Sequence, residues 1–424
     1  MPNTTLARAA VAAVAALTLG ACGSPPEEAP SPDGRSQPGS DLAAEAGSTE
    51  VEGPEPRLLV SDADSGRVDL LDLATAETVH SFEFDNPVRL TTVKDRYAFA
   101  VDSAGGAVHV VDAGSWTLDH GDHTHSYTKT PVELGALEGS KPAQVTEGDD
   151  KVATFFDGDG VARVIDFAAL RKDSIDVGAV VRADAPHHGV ALPIADGFVV
   201  SRSSPGGTDS RPGAFEIHTA DGQVQQSVDA ACPRLHGTAV SDSYALGACD
   251  DGLLLATIVG GAWTSDKIPY PAGIGAATRP TTFRGHGGLP VHVAAAGPAA
   301  TNDGVLVFDS RTRAWTHIRT PDRAMDVALS GDGRSVFAVL TDGTFRVYDA
   351  QSGVETASSR VLAGPYDWTD ESATPPVIVV GGTRAYVSDP ASKTVAEVDF
   401  RDAARVARTL DIGIAASTLG VVGL

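Results

Sequence analysis

The feature that most constrains this chain is a short strand ending in aspartate that recurs along its length. It reads Val68-Asp69-Leu70-Leu71-Asp72, Val108-His109-Val110-Val111-Asp112 and Val161-Ala162-Arg163-Val164-Ile165-Asp166. It returns as Val305-Leu306-Val307-Phe308-Asp309, Phe345-Arg346-Val347-Tyr348-Asp349 and Val395-Ala396-Glu397-Val398-Asp399. Most copies follow a glycine-containing turn such as Asp303-Gly304 or Asp342-Gly343, with an apolar strand before it. Asp-Gly between β-patterned runs is a strong hairpin signal, because both central turn residues need positive φ. The repeat spans roughly forty to fifty residues, the period of a four-stranded propeller blade. Helical periodicity is scarce, residues 166–172 being the best candidate. The chain therefore reads as all-β, a single β-propeller of about eight four-stranded blades, with seven the alternative. The apolar run 414–422 is patterned like an innermost strand, and the first repeat near Arg57 lacks one. The C-terminal strand is expected to complete the first blade and close the ring.

The amino terminus points to export. Arg8 precedes an apolar run too short to span a bilayer, and Leu19-Gly20-Ala21-Cys22 reads as a lipobox. Residues 1–21 are expected to be a lipoprotein signal peptide and Cys22 the lipidated first residue of the mature protein. Residues 22–56 would be a disordered tether, and 57–424 the propeller. A plain secretory signal is the competing reading. The tether is rich in Pro, Ser, Gly and Glu and has almost nothing to bury. The expected location is the outer face of the cell membrane, held by lipid. Of 3 Cys, Cys232 and Cys249 remain as an even pair in an oxidising compartment. A disulfide is expected, with two buried thiols the alternative. A formal net charge of -24 argues against nucleic acid or anionic lipid as a partner and favours cations.

Fold alone licenses no activity. Aligned on their leading prolines, the innermost strands offer Pro87-Val88-Arg89, Pro142-Ala143-Gln144, Pro186-His187-His188 and, with one extra residue, Pro233-Arg234-Leu235-His236. Arg89, Gln144, His188 and His236 share a register near the entrance of the central channel. His188 and His236 on adjacent blades should point at a common spot, with Gly189 and Gly237 keeping the approach open. The competing reading is a pair of hydrogen-bonded core histidines. A second candidate is Asp119-His120-Gly121-Asp122-His123-Thr124-His125-Ser126-Tyr127, three imidazoles and two carboxylates in a polar segment, in a chain with only 12 His. Imidazole and carboxylate suit zinc, which usually takes four ligands. A solvated loop with incidental histidines is the alternative. The other histidines, His80, His109, His218, His292 and His317, read as structural or surface residues. His286 sits in the turn 284–288, expected on the opposite face from the site.

Residues 119–127, His187-His188-Gly189-Val190-Ala191, Cys232-Pro233-Arg234-Leu235-His236-Gly237 and Phe155-Phe156-Asp157-Gly158 together resemble the AztD-type zinc metallochaperones associated with zinc ABC transporters. The resemblance covers nearly the whole mature domain. It implies a β-propeller that binds Zn2+ outside the cytoplasm and hands it to the transporter's solute-binding protein by ligand exchange. It carries His120, His123 and His125 over as loop ligands and His188 and His236 as channel-mouth ligands, the loop covering a metal held by the blades. The family pattern puts a histidine where this chain has Gln144, which leaves the ligand set open. No nucleophile elbow, paired carboxylates or cofactor motif is present, so no enzyme is expected. The competing functions are a structural envelope module and a propeller lyase or hydrolase.

Overall fold

In the computed structural model, residues 45–204 and 211–424 are described. The expected signal peptide, Cys22 and the expected tether up to residue 44 lie outside them. Among the described residues, eight antiparallel sheets follow one another along the chain, seven of four strands and one of three. These are the eight blades of a propeller, as the repeat count predicted. The first sheet joins the two ends of the chain: Ala416–Val422 pairs with Arg57–Asp62, followed outward by Arg67–Asp72 and Thr78–Glu83. The sixth has three strands, Val291–Ala295, Val305–Asp309 and Ala314–Ile318, with a single bridge from Arg284 to Val293 in place of the innermost strand. The short helix Phe167–Leu170 falls where helical periodicity was expected.

The recurrent strands are the third strands of their blades, and their alternation buries both faces between neighbouring sheets. Val108, Val110, Phe156 and Ile165 pack in the core between the second and third blades. Ile217, Leu254 and the two disulfide cysteines pack in that between the fourth and fifth. Each fully buried Phe or Ile of this kind contributes roughly 1.5–3 kcal/mol. Cys232 and Cys249 are bonded, with Cα atoms 4.8 Å apart, as expected from the cysteine count.

The register defines two ends of each blade. In the second blade, Arg89 pairs with Val101 at one end, whereas Val93 pairs with Tyr97 and Tyr97 with Asp112 at the other. Residues 113–131 leave from Asp112 and return at Val132, which pairs with it. This insertion therefore sits at the end opposite Arg89. It carries the hairpin Ser115–Asp119 and Thr124–Thr128, onto which Thr49–Val51 adds a third strand. Two corrections follow. The histidine segment is mostly a β-ribbon, because its residues alternate across a pairing that local polarity conceals. The fold also begins before Arg57, because residues 45–51 are tied to the domain by strand pairing and ion pairs despite their polar composition.

Candidate metal-binding sites

At the Arg89 end, a cavity of about 250 Å³ is lined by Arg89, Gln144, His188, His236, Thr281 and Arg284, among others. It brings together the four residues of the predicted register. His188 Nδ1 donates to Asp157 Oδ2 at 2.6 Å, and Asp157 Oδ1 accepts the Gly189 N–H at 3.2 Å. His236 Nδ1 donates to the Thr281 carbonyl at 2.8 Å. Both acceptors lack protons to give, so each neutral ring carries its hydrogen on Nδ1 and a bare lone pair on Nε2. The two Nε2 atoms face each other at 3.2 Å. Two lone pairs at that distance repel unless a cation, proton or metal, lies between them. The surrounding protein desolvates His236 and pushes its pKa down, outweighing the hydrogen bond to the Thr281 carbonyl, which raises it, and the charges of Arg211 and Arg279 lower it further. The imidazole is thus kept in its ligand form at neutral pH.

The glycine after His236 is required. Gly237 has φ +80°, and a Cβ there would meet the Thr281 backbone at 2.8 Å, the same residue that orients the ring. His187 turns the other way, buried, with Nδ1 on the Ala185 carbonyl and Nε2 on Ser201 Oγ, both at 2.8 Å. It is a satisfied core histidine, unlike its neighbour. Arg89 and Arg284 add two cations to the cavity. Protein packed around Arg89, followed by the charge of Arg284, lowers the pKa of its guanidinium.

At the other end of the blade, the ligating atoms of His120, His123 and His125 lie within 4.8 Å of one another. His123 Nδ1 donates to Asp122 Oδ1 at 2.7 Å and His125 Nδ1 to Glu50 Oε1 at 2.6 Å, leaving both Nε2 atoms available. His120 stacks on His123 with ring centroids 5.0 Å apart. The turn is closed by His120 N–H on the His123 carbonyl at 2.9 Å, with Gly121 at φ +86°. The structure thus brings the five predicted histidines together as a pair and a triad at opposite ends of the molecule, and the ribbon does not cover the mouth. Strand order decides this: the insertion follows a third strand, and third strands end away from the mouth.

Sequence reasoning missed Asp157, Thr281, Arg284 and Glu50. Asp157 stood in a quoted motif without a role. Thr281 acts through its carbonyl, which no side-chain pattern reveals. Arg284 opens the turn assigned to the far face; His286 does lie there, its Nε2 donating to the Leu329 carbonyl at 2.9 Å, but Arg284 reaches the mouth. Among the described residues, no helix is long and apolar enough to cross a membrane.

No protein-family model matches the chain. The zinc chaperone AztD of Citrobacter koseri is 28% identical over 376 residues, which are 87% of this chain and 86% of that protein. A crystal structure of Citrobacter koseri AztD superposes with a TM-score of 0.79 at 25% identity, covering 88% of this chain and 98% of that one. Its apo form gives a TM-score of 0.77 at 24% identity, covering 87% and 98%. In sequence and in fold, this chain resembles the zinc chaperone AztD over most of its length, as its histidine motifs implied.

Proposed function

We propose that this chain is an extracytoplasmic zinc metallochaperone, anchored by lipid on Cys22, that passes Zn2+ to the solute-binding protein of a zinc ABC transporter by ligand exchange rather than by catalysis. The observation that carries this reading is the facing pair of Nε2 lone pairs at 3.2 Å. Two imidazoles on a tetrahedral zinc, with Zn–N of about 2.0–2.1 Å, have their nitrogens about 3.3 Å apart. His188 and His236 stand at that spacing with their tautomers already set, so little ordering is needed on binding. Similarity to a zinc chaperone supports the same cargo.

Two protein imidazoles leave coordination positions open. Those positions are where water sits during storage and where an acceptor's ligands enter during transfer. Arg89 and Arg284 face the same cavity and weaken its hold on a dication, which favours release. The ribbon triad His120, His123 and His125 takes a second zinc. His120 and His123 are exposed and His125 partly so, which suits exchange with solution.

The test is a zinc titration of wild type, His188→Ala, His236→Ala and a triple alanine variant of the ribbon, followed by transfer to an apo solute-binding protein. Two zinc ions are expected in wild type and one in each class of variant. Unchanged affinity and stoichiometry in both mouth variants would overturn the assignment of the pair. A soluble, folded Cys22→Ser protein is expected to leave the membrane fraction, and its retention there would refute the anchor.

A further inference from the structure

The strand Thr49–Val51 is joined to the metal ribbon at a chemically specific point. Thr49, Glu50 and Val51 pair with Thr128, Tyr127 and Ser126, and the Glu50 carboxylate reaches His125 Nδ1 at 2.6 Å. A second fixed point lies at Glu45. Its carboxylate accepts from Arg96 Nη2 at 2.7 Å and from Arg171 Nε at 3.1 Å. Arg96 is itself buried, held by Asp112 and laid over the Trp116 ring at 3.6 Å, and Trp116 belongs to the ribbon. Residues 45–51 therefore run as a strap from the root of the ribbon to its histidines.

The contact is chemically meaningful because the partner of a ligating imidazole's second nitrogen fixes its tautomer and raises its basicity. Asp122 does this for His123 from within the ribbon, whereas the corresponding group for His125 comes from 75 residues earlier. We propose that Glu50 is a positioning residue of the ribbon site, and that docking of the strap and zinc binding at the ribbon are thermodynamically linked. The proposal rests on the reading of His120, His123 and His125 as zinc ligands. Linkage is reciprocal: if the docked strap tightens zinc, zinc must tighten the strap by the same factor. A partner that pulled the strap away would loosen the cargo.

The experiment uses the full mature chain in a His188→Ala background, so that the ribbon alone reports. Zinc affinity is measured by chelator competition for Glu50, Glu50→Gln, Glu50→Ala and His125→Ala. Imidazole nitrogen NMR of the zinc-free proteins gives the His125 tautomer. Glu50→Ala is expected to weaken zinc roughly 10–100-fold and to convert His125 from a single Nδ1–H tautomer to a mixture. Glu50→Gln keeps an acceptor at the same reach, so the tautomer should hold and the loss should be smaller. Amide exchange over residues 45–51 should slow on adding zinc when Glu50 is present. Equal zinc affinity and an unchanged tautomer in Glu50→Ala would overturn the proposal while leaving the ribbon reading intact, provided His125→Ala weakens zinc. Equal affinity in His125→Ala would overturn both. If Glu50→Ala frays the strand, Glu50→Gln decides: zinc affinity equal to that of the Glu50 protein, with the strand still protected, would also contradict the proposal.

Discussion

The channel mouth and the ribbon are both histidine sites with carboxylate or carbonyl groups behind the rings, yet they are built in opposite ways. At the mouth, two imidazoles come from adjacent blades, recessed and held at 3.2 Å by Asp157 and Thr281. At the ribbon, three imidazoles come from one hairpin, with ligating atoms spread over as much as 4.8 Å. The mouth has geometry without enough ligands; the ribbon has ligands without rigid geometry. A site held by the scaffold binds with little ordering, whereas the exposed side chains of His120 and His123 on the ribbon must still give up rotamer freedom on binding. The first should hold the cargo and the second should exchange it.

The largest expected effect separates the two directly. A four-ligand structural zinc site is worth about 10–16 kcal/mol, so removing one imidazole should cost roughly 3–4 kcal/mol, or about 10²–10³ in affinity. His236→Ala should lose this at the mouth and leave the ribbon's zinc unaltered. Calorimetric titration showing that both zinc ions weaken together would mean that the sites are not independent.

The next effect concerns the scaffold behind the mouth. The Cys232–Cys249 bond closes a sequence separation of 17 and fixes the segment leading to His236. The loop-entropy estimate gives about 3 kcal/mol for its removal. A Cys232→Ser/Cys249→Ser protein should lose that much in denaturant unfolding, with zinc binding weakened at the mouth and not at the ribbon. Equal weakening at both ends would break the comparison.

Acid sharpens it further by separating release from unfolding. Burial pushes the pKa of His292 down to about 4. The unfolded chain takes up this proton near 6.5 and the folded protein does not until about 4, so stability falls as pH drops through that window. At pH 4.5 the loss attributable to His292 should be about 2–3 kcal/mol relative to pH 7.5. Unfolding curves of wild type and His292→Leu at the two pH values test this: the variant should show a correspondingly smaller drop. An identical pH dependence would show that His292 does not carry the effect.

How much of this was legible depends on whether the signal was local. The Asp-terminated strands announce the blades because a strand's two faces are written in adjacent residues. The pairing of His188 with His236 was readable because both follow prolines in one register. The placement of residues 119–127 was misread as a cover for the mouth. Composition names the ligands, but only the count of strands before the insertion, three, says at which end they emerge. Glu50 was hidden for a different reason. Its polar neighbourhood resembles a tether, and the strand that orders it lies far downstream.

The smallest effect is expected at the ribbon's turn. Gly121 has φ +86° with open space around its missing side chain, so Gly121→Ala meets no clash and pays only the backbone preference, about 1 kcal/mol. Zinc affinity at the ribbon should fall several-fold, with the mouth unaffected. Loss of ribbon binding altogether would show a site far more rigid than its spread of ligating atoms implies.

The most direct test of two separate cargo sites is anomalous diffraction at the zinc edge from zinc-loaded crystals. Two peaks are expected, one between the Nε2 atoms of His188 and His236 and one among His120, His123 and His125. A single peak coordinated jointly by mouth and ribbon histidines, or none between His188 and His236, would contradict this.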